Sequence, residues 1–148
     1  MTNADSAGMV PVTILGVAMT PGDKSDRGER FSIVLASAAD GDSRRLSIGV
    51  GDAEATALAF SLQGQEFPRP MTYQFMAALV AAAGSAVRSV RVTRMDGQVF
   101  YAQVTLRGGA VVDARPSDAI NLAATTGAPV LVASELLDLP VDPELPVP

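Results

Sequence analysis

The order of strand-like and helix-like segments predicts an α+β fold: a mixed, largely antiparallel sheet, built from an early meander and a central hairpin, packed with three main helices. Three observations carry this. Short apolar runs separated by polar, Gly-containing stretches open the chain. Asp96-Gly97 stands between two strand-like runs, the strongest short-range hairpin signal present. Three segments of helical period follow no repeating βαβ order.

Met9 to Ala18 reads as the first strand, and residues 20 to 30 as a polar loop. Phe31 to Ser37 is the second strand, Asp40-Gly41-Asp42 a turn, and Arg45 to Val50 the third strand. A helix then runs from Asp52 to about Gln63, with Ala53, Ala57, Leu58 and Leu62 on one face, Asp52 as its cap and Gly64 as its end. Glu54 lies in its first turn, where the helix dipole alone favours a carboxylate. The next helix opens at Arg69-Pro70-Met71-Thr72, with Thr72 as N-cap and Phe75, Met76, Leu79 and Val80 as its buried stripe. Val87 to Met95 and Gln98 to Arg107 form the hairpin, with Phe100, Ala102, Val104 and Leu106 on one face and Tyr101, Gln103 and Thr105 on the other. Ala110 to Asp113 is a short strand, Pro116 to Thr126 a helix stopped by Gly127, and Pro129 to Val132 a late strand. Ser134 caps a last short helix, and from Asp138 a Pro-rich acidic tail is expected to be extended and mobile. The expected organisation is a flexible segment 1–8, one domain over 9–137 and the tail 138–148.

The segment Val112 to Leu122 carries the chemistry. Two carboxylates, one guanidinium and one hydroxyl fall between Asp113 and Asp118. Pro116 disfavours helix at Arg115 and suits the first helical turn. The polar groups therefore gather at a helix N-terminus, whose free N–H groups and dipole hold anions, and Arg115 beside it makes a phosphate pocket. The structural alternative stands beside this one. Asp118, near the third helical position, caps free N–H groups, and Arg115 pairs with Asp113 or Asp118 as a strut. An Arg-Pro pair occurs twice, at Arg69-Pro70 and Arg115-Pro116, so two guanidiniums delivered alike could line one anionic site.

Composition narrows the chemistry further. The chain has 148 residues, 48% of them hydrophobic, and no apolar run of the roughly 18 residues that span a bilayer. Met1 to Gly8 lacks signal-peptide features, so a soluble cytoplasmic protein without membrane contact is expected. Cys and His are both absent, which excludes disulfides, thiol catalysis, Ser-His-Asp triads and His-ligated metals. Carboxylates holding Mg²⁺ or Mn²⁺ are the remaining route to hydrolysis. The net charge of −5 opposes tight nonspecific nucleic-acid binding, and 5% aromatics leave few stacking platforms. Lys24 is the only lysine, so the basic residues are almost all Arg, which suits bidentate contact with phosphate.

Several segments, in this order, resemble the bifunctional nuclease (DNase/RNase) domain family. They are Leu46-Ser47-Ile48-Gly49, Asp52-Ala53-Glu54-Ala55, Arg69-Pro70-Met71-Thr72, Val99-Phe100-Tyr101-Ala102, Asp113-Ala114-Arg115-Pro116-Ser117-Asp118-Ala119-Ile120-Asn121-Leu122-Ala123 and Gly127-Ala128-Pro129-Val130. The resemblance spans about Pro11 to Leu137. It implies a compact α+β domain that forms a homo-oligomer and cleaves DNA and RNA with little sequence preference. Carried over by position, Asp113, Arg115, Asp118 and Glu54 are the implied catalytic residues. Arg69, Thr72 and Ser117 are implied to bind substrate, and Asp113, Asp118 and Glu54 to hold Mg²⁺ or Mn²⁺. Where the family often reads Arg-Pro-Leu-Thr-His-Asp, this chain has Tyr73 and Gln74 in place of His and Asp. One acid–base group and one metal-ligand candidate are thereby lost.

Two functions compete. One is a metal-dependent phosphodiesterase acting on DNA or RNA. The other is a noncatalytic oligomeric binding or structural protein in which the same residues form an ion-paired node. A third, an enzyme acting on a phosphorylated metabolite, lacks any Walker-type or Gly-x-Gly-x-x-Gly phosphate loop.

Overall fold

A computed structural model describes residues 8–20 and 30–141. The N-terminal residues, most of the 20–30 loop and most of the Pro-rich tail lie outside the described residues. Strands β1 (Met9–Thr20), β2 (Arg30–Ser37) and β3 (Arg45–Val50) form the expected antiparallel meander. Their apolar residues Ile33, Leu35, Leu46 and Ile48 share one buried face, as alternation along paired strands requires. Strands β4 (Val87–Asp96) and β5 (Val99–Leu106) close the hairpin over Asp96-Gly97, with Gly97 in the left-handed region at φ 63°. Strand β6 (Val111–Ala114) pairs with β5 and forms one edge.

The late strand β7 (Val130–Ala133) takes the central place in the seven-stranded order β3-β2-β1-β7-β4-β5-β6. It pairs antiparallel with the first residues of β1, Met9 to Val12, and parallel with β4 at Val90 to Val92. The sheet is thus mixed and largely antiparallel, as expected. A 3-10 turn, Ser134–Asp138, buries Leu136 and Leu137 beneath it. Its N-cap is Ala133, and the Ser134 side chain supplies no cap bond.

Helices α1 (Asp52–Leu62), α2 (Thr72–Ala82) and α3 (Pro116–Thr126) complete the fold. Of these α3 is the central one: it packs against α1, α2, β4 and β5. Its bounds match the sequence reading for stated reasons. Arg115 is extended (φ −68°, ψ 144°), as a residue before proline prefers, and Gly127 ends the helix at φ 79°. Among the described residues no helix is long and apolar enough to cross a membrane.

Four local expectations are corrected. In α1 the residues turned inward are Ala55 and Leu58, while Ala53 and Leu62 are exposed. In α2 the buried residue is Tyr73, with Met76 and Ala77 packed on the core, while Phe75 and Leu79 are more than half exposed. Both helices carry apolar or small residues all round, so period alone selects no face. Thr72 is the first helical residue and not the cap. Met71 holds that place, and its N–H donates to the Gln74 side chain at 2.8 Å. Asp52 likewise follows the N-cap Gly51 and makes no capping bond.

Candidate functional site

The first turn of α3 sets the site. Asp118 is its third residue, and the preceding Arg115 folds back over it. Arg115 Nε donates to Asp118 Oδ2 at 2.8 Å and Nη2 to Oδ1 at 2.9 Å, a bidentate pair. The same Nη2 donates to Glu54 Oε1 of α1 at 3.1 Å. Tyr73 of α2 donates its hydroxyl to Asp118 Oδ1 at 2.8 Å. Three helices therefore meet in one cluster of Glu54, Tyr73, Arg115 and Asp118. Arg115 Nη1 takes part in none of these bonds, and the Arg115 side chain is 63% exposed.

Backbone devices hold the cluster from below. Gly51 leaves space for the Glu54 carboxylate: a Cβ there would collide with Oε2. Asn121, fully buried one turn along α3, donates from Nδ2 to the Ser117 carbonyl at 2.9 Å and to the Glu54 carbonyl at 3.1 Å. It pins α1 to α3 directly beneath the carboxylates.

The electrostatics follow from these contacts. Hydrogen bonds from Arg115 hold Asp118 below the ordinary carboxylate range, helped by the Tyr73 hydroxyl and opposed by partial burial. Burial, then the bond to Asp118, pushes the Tyr73 phenol up, so it keeps its proton at neutral pH. The Arg115 guanidinium is raised, chiefly by Asp118 and then by Glu54.

The cluster opens on a cavity of about 350 Å³ between α1 and α2. Glu54, Tyr73, Arg115, Asp118 and Thr72 line it together with the apolar Ala53, Ala57, Phe60, Phe67 and Met71. Phe60 and Phe67 meet edge to face there, ring centroids 5.6 Å apart.

Of the residues singled out from sequence, Glu54, Arg115 and Asp118 converge, and Thr72 lines the same cavity. Arg115 chooses Asp118 over Asp113. Asp113 lies on edge strand β6, where it accepts from Gln103 Nε2 at 3.5 Å. Ser117 is buried, and its carbonyl serves the Asn121 clamp. Arg69 lines a neighbouring depression with Gln65, Glu66 and Pro70, so the two Arg-Pro guanidiniums do not share the cavity. Among the described residues no three acidic side chains gather as a metal cage.

Sequence reasoning missed two contributors. Tyr73 was visible only as a replacement, yet its hydroxyl reaches the key carboxylate. Asn121 had a signal: it is one polar residue inside Ala119-Ile120-Asn121-Leu122-Ala123, four residues after Ser117 and so on its helical face.

An uncharacterized protein of Mycobacterium tuberculosis (strain CDC 1551 / Oshkosh) is 33% identical over 123 residues, 83% of this chain and 74% of that protein. Bifunctional nuclease 1 of Oryza sativa subsp. indica is 31% identical over 113 residues, 72% of this chain and 34% of the rice protein. Bifunctional nuclease 1 of Arabidopsis thaliana is 34% identical over 99 residues, 63% of this chain and 30% of that protein. The chain thus spans about a third of the plant proteins' length. The family model described as the bifunctional nuclease domain matches residues 33–140. With most of its sheet, all three helices and the whole cluster inside that match, the chain belongs to the bifunctional nuclease domain family.

Proposed function

We propose that the chain hydrolyses phosphodiester bonds in DNA and RNA with little sequence specificity. One observation carries the reading: a guanidinium, Arg115, is fixed by two carboxylates beside a cavity, while its Nη1 makes no hydrogen bond among the described residues and the side chain is 63% exposed. A guanidinium so held meets phosphate oxygens with its geometry already set. Asp118 stays ionised at neutral pH and orients Arg115. Tyr73 keeps its proton and orients Asp118 in turn.

Glu54 and Asp118 with Arg115 carry a formal charge of −1, from two negative groups and one positive, which opposes an approaching phosphate. The oxygen donors fit Mg²⁺ or Mn²⁺, which accept one or two carboxylates plus substrate phosphate oxygens. Glu54 and Asp118 are the residues that would hold it, without Asp113. A bound cation would offset the negative charge and lower the pKa of a coordinated water.

The test is cleavage of single-stranded DNA and RNA with Mg²⁺, with Mn²⁺ and with EDTA. Both polymers are expected to be cut with either cation and spared in EDTA. Undiminished cleavage in EDTA would remove the metal, and background rates in every lane would remove the nuclease.

A second reading, a noncatalytic homo-oligomer, is favoured by α2. This helix has no charged residue, and Met71, Phe75 and Leu79 form an exposed ridge at four-residue spacing. Two copies of an acidic chain meet there without charge repulsion. Sedimentation is expected to show self-association that Leu79→Glu weakens at least about tenfold, since a charge would be buried at the contact. A wild type that stays monomeric at high micromolar concentration would end this reading.

A further inference from the structure

We propose that the cavity between α1 and α2 takes one unpaired base of a single-stranded nucleic acid while the adjoining phosphate meets Arg115. The inference rests on the nuclease reading for its phosphate anchor and adds the part of the substrate that reading leaves unplaced. The cavity has the dual character a nucleotide needs. Arg115 supplies a cation whose Nη1 is unbonded among the described residues, and Phe60, Phe67, Met71, Ala53 and Ala57 supply an apolar wall. The aromatic pair gives a ring face and a ring edge in one place, at an interplanar angle of 78°. A base has a π-face whatever its identity, so stacking there is sequence-tolerant.

Dimensions agree. Glu54, which holds Arg115, and Phe60 are six residues apart on α1, about 9 Å along its axis. That separation leaves a sugar's room between an anchored phosphate and a stacked base. A volume of about 350 Å³ lies at the small end of ligand sites, which run from about 300 to 1,000 Å³. It suits one nucleotide and excludes a duplex, whose bases are already stacked and paired. A base must leave the stack to enter, and this is least costly in a single strand. The uncharged polar lining beside the aromatics is sparse, Thr56, Ser61, Thr72 and Gln74; Thr56 already leans on Asp52 at 3.5 Å, and Gln74 Oε1 already accepts from the Met71 N–H. Little is left there to read a base edge, so the site accepts any base and discriminates by strandedness.

The test measures binding by fluorescence anisotropy with the full chain, once in EDTA and once in Ca²⁺. The probes are a single-stranded DNA oligomer, its duplex, and an oligomer of equal length and charge that lacks bases. The single strand is expected to bind at least about tenfold tighter than the other two. Phe60→Ala, and Ala53→Trp, which fills the cavity, are expected to bring it down to the level of the baseless oligomer and to leave that oligomer's affinity unchanged. Both positions are exposed, and circular dichroism checks that each variant folds. Equal affinities for all three probes in both buffers would overturn the proposal. It would also fall if Phe60→Ala abolished self-association and left oligomer affinity intact, because a second copy would then fill the cavity. Cleavage is scored separately. Base-dependent binding without cleavage upholds the base site and removes the nuclease reading, whereas cleavage with base-independent binding does the reverse.

Discussion

Arg115→Ala is expected to lower phosphodiester cleavage about 100-fold or more, the scale of losing one preorganised charged donor. Folding stability should fall by less than about 1 kcal/mol, because the side chain is 63% exposed and solvent screens its ion pairs. The two effects separate because Arg115 does different things for fold and chemistry. The fold keeps α3 in place through its buried face, without the guanidinium. The chemistry loses its phosphate contact and faces two carboxylates, formerly bonded to one Nη2, with nothing between them.

The pH dependence of stability supplies an independent readout. Asp118 is depressed in the folded state, chiefly by Arg115. Its contribution is therefore complete above the ordinary carboxylate range, near pH 4, and is lost as pH falls through the depressed value. Without Arg115 most of that contribution is missing at neutral pH, so the variant has less to lose on acidification. Urea midpoints measured from pH 6 to pH 2 should show the wild-type advantage shrinking as pH falls and the two proteins converging at the acid end. Cleavage by the variant within a few-fold of wild type would show that Arg115 is a strut only.

Asn121→Asp is expected to destabilise the folded state by about 3–5 kcal/mol at pH 7, the scale of an uncompensated buried charge. The amide donates to two carbonyls, so a carboxylate in its place sets oxygen against oxygen with no water to help. Folding would raise the new carboxyl's pKa, so the deficit should grow as pH rises above about 4 and shrink below it. Chemical denaturation at pH 4 and pH 7 measures both. A loss of under about 1 kcal/mol, equal at the two pH values, would show that Asn121 clamps nothing. The wild-type Asn121 Oδ1 is itself buried with no hydrogen-bond partner among the described residues. Such an atom costs about 1–3 kcal/mol, so stability alone does not favour an amide here. Tying the backbone of Glu54 to that of Ser117 does.

The parts of this fold that were readable from sequence are those fixed by neighbours in the chain. Pro116 and Gly127 bracket α3, and Asp96-Gly97 closes the hairpin, because each acts on its own backbone torsions. The inward face of α2 was not readable. Tyr, Phe, Met, Leu and Val surround that helix, and the choice falls to Tyr73 through a partner 45 residues away. The same holds at the site. Asp113 and Asp118 looked equivalent as partners of Arg115, but one belongs to a strand and turns to the neighbouring Gln103, while the other sits in the turn that Arg115 overhangs. Glu54 read as a dipole-favoured carboxylate in its own helix, and only tertiary packing brings it to a guanidinium 61 residues away.

The place of β7 bears on how the chain is assembled during synthesis. Strands β1 to β3 and strands β4 to β6 make no pairing with one another, and both pair with β7. A nascent chain that has emerged only as far as Pro129 holds two three-stranded pieces, each with an open edge. The two become one sheet when four more residues arrive and thread between them. Closure spans most of the sequence, a long-range step of the kind that slows folding and exposes sticky edges meanwhile. Of the described strands, the latest to be made is therefore the one that makes the others a single body.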